Sequence, residues 1–179
     1  MTGVQTCALP IFGQRATAAK SNEKTAIPEL LATLALEGCI VTIDAMGTQA
    51  SIAQAIRDRG ADYILAVKNN QPNLAEALRD FFEQFKNAPE RTPHMAVQTV
   101  EKDHGRLETR RCYAFDQLAC LSKPEQWPGL KSFAVIESER CLRGKTTRER
   151  RFYISSLPPD ADRLLRAIRA HWSVENNLH

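Results

Sequence analysis

Gly38-Cys39-Ile40-Val41-Thr42-Ile43-Asp44-Ala45-Met46-Gly47 is the stretch on which the reading of the whole chain turns. Ile40, Val41, Thr42 and Ile43 are β-branched, a composition that favours a pleated and at least half-buried strand. Glycines bracket the run, and its last position hands over to one carboxylate, Asp44. In an open α/β sheet, groups at the carboxyl ends of strands face the crevice in which ligands bind. The spacing therefore predicts a buried strand that presents Asp44 at a functional edge.

Working outward, the pattern on both sides is helical. Upstream, Ser21, Asn22 and Thr25 are cap-type residues ahead of Ile27, Leu30, Leu31 and Leu34, with Pro28 tolerable in a first turn. Gln14 to Ala18 reads as the remnant of an edge strand. Downstream, a helix over about 50–59 puts Ile52, Ala53 and Ile56 on one face and stops at Gly60. Tyr63 to Val67 is a second buried strand ending at Lys68, and Leu74, Leu78, Phe81, Phe82 and Phe85 form a core-packing helical stripe. Helix and strand alternate with short connections, which predicts a partly parallel sheet covered by helices.

Near Pro89 the period changes. Val97–Val100, Leu107–Phe115, Phe133–Glu139 and Arg148–Ser155 are strand-like and separated by Gly and Pro, predicting an antiparallel insertion. Helical pattern returns after Pro158-Pro159-Asp160, with Leu164, Leu165, Ile168 and Trp172 on one side and Glu175 beyond them.

Composition narrows the class. The chain has 179 residues, 43% of them hydrophobic and 25% charged, as in a globular domain that buries a real core. No apolar run is long enough to span a bilayer. The net charge of +3 permits an anionic partner without requiring one. Cys7, Cys39, Cys112, Cys120 and Cys141 show neither C-x-x-C pairing nor zinc-site spacing and read as reduced thiols. Residues 1–12 carry no basic n-region and too short an apolar stretch for a signal peptide. They resemble a sequencing-library adapter translated from a GTG start, and are expected to be non-native.

Asp44 at a strand end and Glu175 on a late helix suit a divalent cation held between carboxylates. Taken alone the pair is weak among 21 acidic residues, since Asp44 also caps a turn and Glu175 also suits a solvated helix face. The run Arg140, Arg143, Lys145, Arg148, Arg150 and Arg151 holds six cations against Glu149. Such a run suits either phosphate contact or a solvated hairpin. Lys68-Asn69-Asn70-Gln71 suits a DNA contact or a polar loop, and His104, Arg106, Arg110 and Arg111 read like the basic run, less firmly. Trp172 reads as a core anchor.

Several segments occur together and in order: CIVTIDAMGTQ (39–49), GADYILAVKNNQPNL (60–74), HGRLETRRC (104–112), RFYISSL (151–157) and RAHWSVENNLH (169–179). With Gln14, Lys20-Ser21-Asn22-Glu23 and Ala26 to Leu31, they resemble a DDE transposase of the insertion-sequence branch that includes the H-repeat-associated proteins. The resemblance implies an α/β fold, a ribonuclease-H-like core with a β-rich insertion before the last helix. On that division, 13–92 is the first part of the core, 93–157 the insertion and 158–179 the final catalytic helix.

The resemblance further implies cleavage and strand transfer of double-stranded DNA, at element ends and target, with Mg²⁺ or Mn²⁺. It places catalytic and metal-ligating roles on Asp44 and Glu175. DNA contacts are expected from Lys68, Asn69, Asn70, Arg140, Arg143, Lys145, Arg148, Arg150 and His171. A homodimer, a bacterial cytoplasmic, nucleoid-associated location and no membrane are the matching expectations. The family's first catalytic Asp has no counterpart, because Asp44 is the earliest Asp in the chain. In the signature preceding the Glu, Ile168 stands at the Tyr position and His171 at the Arg position. An inactive fragment is therefore expected. The rival readings are a catalytically dead DNA-binding remnant and an α/β module binding no nucleic acid. The latter calls for a Gly-rich phosphate loop, which Asp44 to Gly47 makes poorly.

Overall fold

A computed structural model describes residues 23–103, 106–142 and 144–177, with the side chains of 23–26, 103 and 173–177 left aside. The expected edge strand at Gln14–Ala18 and the 1–12 segment lie outside the described residues. The elements run α1 (Glu23–Thr33), β1 (Ile40–Ile43), α2 (Ala50–Arg57), β2 (Asp62–Val67), α3 (Pro72–Asn87), β3 (Met95–Asp103), β4 (Arg106–Phe115), β5 (Ser132–Leu142), β6 (Lys145–Ser155) and α4 (Ala161–Asn177). The fold is mixed α/β, with six strands in one sheet of order β1-β2-β6-β5-β4-β3.

β1 and β2 pair parallel, with Ile40 opposite Asp62 and Ile43 opposite Leu65. β6 then runs antiparallel to β2, Val67 facing Phe152, and β5, β4 and β3 follow as an antiparallel meander. The segment read as an antiparallel insertion supplies four strands of the same sheet. Only Phe152–Ser155 of β6 are paired to β2, so among the described residues Lys145–Arg151 form a free edge.

Helices cover the two faces unequally. α1, α2 and α3 bury Leu31, Ile52, Ile56, Leu78, Phe82 and Phe85 against Tyr63, Leu65, Phe115, Phe133, Phe152 and Ile154. Edge-on ring contacts of Phe81 with Phe115 and Phe133, at 5.1 and 5.0 Å, fix this side. The other face belongs to α4 alone, which lays Leu164, Leu165 and Ile168 on Ala66, Ala114, Ala134 and Cys112. Small residues on the sheet let the helix approach closely. Burial pushes the Cys112 thiol up to about 12, so it remains a neutral apolar filler. Asp160 starts α4, its carboxylate accepting the Arg163 N–H at 3.0 Å.

Alternation along the strands decides which charges meet which helix. Phe152 and Ile154 point to the three-helix side, so Arg150 and Arg148 do too; Tyr153 points to α4, with Arg151 and Glu149.

Candidate functional site

Asp44 stands where β1 ends, half-buried, in a loop closed by its own hydrogen bonds. Its Oδ1 accepts the Met46 N–H at 3.1 Å and the Gly47 N–H at 3.4 Å, folding the loop around the carboxylate. Oδ2 takes no part in those two bonds. The fully buried Thr48 hydroxyl lies 2.6 Å from the Ala66 carbonyl and 3.0 Å from the Asp44 carbonyl. It ties the loop to β2. Gly47 is required sterically: a Cβ there would lie 2.5 Å from Ile43 Cγ2 and 2.7 Å from Ile27 Cδ1.

The loop after β2 is bound to the same place. Asn70 Nδ2 donates to the Ala45 carbonyl, Asn70 Oδ1 accepts the Lys68 N–H at 3.3 Å, and Gln71 Nε2 donates to the Thr48 carbonyl at 3.0 Å. Asn70, singled out above as a DNA contact, spends its amide on holding the Asp44 loop. Lys68 and Asn69 beside it are exposed.

α4 closes the cleft. His171 Nδ1 meets Thr42 Oγ1 at 3.1 Å, across 129 residues of sequence. Asp44, Thr42, Ala66, Tyr153, His171 and Trp172 line one small cleft. Trp172 is held by its Nε1–H to Tyr153 Oη at 3.4 Å and by the Arg151 guanidinium 4.0 Å from its ring centroid. Glu175 follows His171 by four residues, one turn further along the same helix. Its side chain lies outside the described residues. Asp44 has a carboxylate oxygen outside the loop's own bonds and opens on a cleft, as a hard cation requires. Among the described residues no three His, Cys, Asp or Glu side chains converge as a metal cage.

The basic residues divide between the two faces. Arg150 donates to Glu83 and to Glu137 (3.0 Å) and lies 4.8 Å over the Phe82 ring, on the three-helix side. Burial acts to lower its pKa, but the bonds it donates to Glu83 and Glu137 outweigh this and raise it. Arg148, mostly exposed, pairs with Glu139 at 2.9 Å. Arg140 belongs to the α4 side, as does Lys145 by alternation; Arg143 lies outside the described residues. The described ones among the nine residues expected to contact DNA therefore do not form one patch.

Sequence reading gave Arg169 and Glu108 no role. Glu108 is almost fully buried, 2.7 Å from Arg110, 3.7 Å from Arg140 and 3.8 Å from Arg106. Glu101 accepts from Arg110 at 2.9 Å and from Arg169 of α4. Burial alone would raise the Glu101 carboxyl; the two guanidinium partners hold it below its ordinary value. The alternation Arg106, Glu108, Arg110 was visible in sequence, whereas the link to Arg169 had no local signal.

The domain is mixed α/β and presents a strand-tip carboxylate opposite a late helix. The chain matches the Transposase DDE domain family over residues 2–179, and it belongs to that family. It is 42% identical over 177 residues to the "H repeat-associated putative transposase YhhI" of Escherichia coli (strain K12), covering 94% of this chain and 46% of that protein. It is 43% identical over 173 residues to the "Putative transposase YncI" of Escherichia coli O157:H7 (94% and 44%). An "Uncharacterized protein in dhlA 3'region" of Xanthobacter autotrophicus is 42% identical over 150 residues (84% and 50%). The chain thus spans about half the length of these relatives. No solved structure matches it. Among the described residues no helix is long and apolar enough to cross a membrane.

Proposed function

We propose that this chain is the part of an insertion-sequence transposase that carries two of its three catalytic acids, Asp44 and Glu175, on a ribonuclease-H-like core. The observation that carries the reading is the shared cleft: Asp44 and His171 line it together, and Glu175 follows one turn later. Asp44 and Glu175 would hold Mg²⁺ or Mn²⁺. Such ions, when bound, activate an attacking hydroxyl and stabilise the leaving oxygen of an in-line phosphoryl displacement. The chain's own contribution is position. Met46 and Gly47 orient the carboxylate through Oδ1, Thr48 and Asn70 fix the loop, and His171 locks α4 to β1.

The substrate is double-stranded DNA, first nicked by water and then joined when the freed 3′-hydroxyl attacks a target strand. Lys68 and Asn69, exposed beside the cleft, are the contacts closest to the chemistry. Arg140, Arg143 and Lys145 serve further along; Arg148 and Arg150, paired on the other face, are weaker candidates. The enzyme works as a homodimer in the bacterial cytoplasm, at the nucleoid.

The test is strand nicking of element-end DNA in Mg²⁺ by the full-length H-repeat-associated relative. Asn at the position matching Asp44, or Gln at that matching Glu175, is expected to reduce nicking to background with DNA binding kept. Undiminished nicking by either variant would overturn the assignment.

A further inference from the structure

A second concavity lies beside the Asp44 cleft. A groove of about 540 Å³ lies between α4 and the distal halves of β4, β5 and β6. On the α4 face its walls carry Arg110, Arg140, Arg151 and Arg169 against two glutamates, Glu108 and Glu149. Tyr153, Ile168 and Trp172 line both this groove and the Asp44 cleft, so the two adjoin.

The charges within it are unequal in freedom. Arg110 is engaged by Glu108 and Glu101, Arg151 by Glu149 and the Trp172 ring, and Arg169 by Glu101. Arg140 is half-exposed and reaches Glu108 only at 3.7 Å. Cations exceed acids, and the most loosely paired one, Arg140, lines the groove. From Tyr153 to Thr147 on β6 the floor is six residues long, about 20 Å at ~3.3 Å per residue. That length accommodates several consecutive phosphates of one strand's backbone. A compact anion would fill only a corner. An extended polyanion with charge at regular intervals uses the whole track.

We propose that this groove holds the phosphodiester backbone of one strand of a DNA duplex leading into the Asp44 cleft, with Arg140 as the principal phosphate contact and the Glu108 cluster as its rigid base. The inference rests on the proposed DNA chemistry of the cleft. It confines backbone contact to the α4 face, and so excludes Arg111, whose neighbour Tyr113 packs on Phe82 and Phe85 of the opposite side.

The experiment is fluorescence anisotropy of the whole chain with a labelled thirty-base-pair duplex across a salt series. Arg140→Glu and Arg111→Glu change net charge equally but on opposite faces. Arg140→Glu is expected to weaken binding about tenfold and Arg111→Glu less than about twofold, while Arg140→Gln lowers the salt slope by about one phosphate contact. Thr147→Lys, which adds a cation to the groove wall, is expected to tighten binding several-fold, a gain that misfolding cannot produce. Equal losses from both reversals would overturn the groove and point to diffuse attraction. Binding by the parent chain with Arg140→Glu and Thr147→Lys both neutral would overturn it too, leaving DNA on another surface. A parent chain that binds no duplex at low salt would instead sink the DNA reading of this chain.

Discussion

The loop after β1 and the distal half of the β4–β6 sheet use polar groups in opposite ways. Around Asp44 each donor is aimed at a particular backbone carbonyl or carboxylate oxygen, and Thr48, the central one, is fully buried. In the distal sheet, arginines share glutamates in overlapping sets, and most heads reach solvent. The first arrangement leaves one carboxylate orientation available, which chemistry at a defined atom needs. The second leaves surplus charge that adapts to a partner. Buried single-purpose bonds cost much when cut, while exposed ion pairs are worth little singly.

Matched substitutions break or sharpen that contrast. Gly47→Ala forces a methyl group into Ile43 and Ile27, and is expected to cost about 1–3 kcal/mol in urea unfolding. Gly144→Ala in the β5–β6 turn meets open space and only its left-handed backbone (φ +79°) resists, about 1 kcal/mol. Thr48→Ala leaves the Ala66 carbonyl without its hydroxyl partner and should cost about 1–3 kcal/mol. Thr147→Ala, exposed in the distal sheet, should stay within about 0.5 kcal/mol. Comparable losses from Thr48→Ala and Thr147→Ala would erase the contrast. Asn70→Ala should cost about 1 kcal/mol and Asn69→Ala under about 0.5 kcal/mol.

The smallest expected effect is on pH. Glu101 is held low in the folded state, so its contribution is present above the ordinary glutamate value of ~4.3 and is lost as pH falls through its lower, folded value. Acid unfolding of Glu101→Gln should therefore lose part of the parent's pH dependence below that value. Identical acid profiles would show that the Arg110 and Arg169 contacts add nothing in solution.

Much of this was legible from residue order. The β-branched run ending at Asp44, the apolar stripe of α3 and the strand-like segments after Pro89 are local patterns, and each became the element it announced. Strand partners were not legible, because β2 and β6 meet across some ninety residues, Val67 facing Phe152. Nor was the work of Asn70: its acceptor, the Ala45 carbonyl, has no side-chain signature. The facing of the arginines was legible after all. Alternation from Phe152 and Tyr153 already separates Arg150 from Arg151, and reading the run as one basic cluster ignored that period.

The central claim is that Asp44 and Glu175 address one cation. Mn²⁺ binding to the whole chain, followed by electron paramagnetic resonance, tests it as a double-mutant cycle of Asp44→Asn and Glu175→Gln. The account predicts that each single change removes the binding and that the double change removes nothing more. Two independent, additive losses would mean two separate sites, and would contradict it.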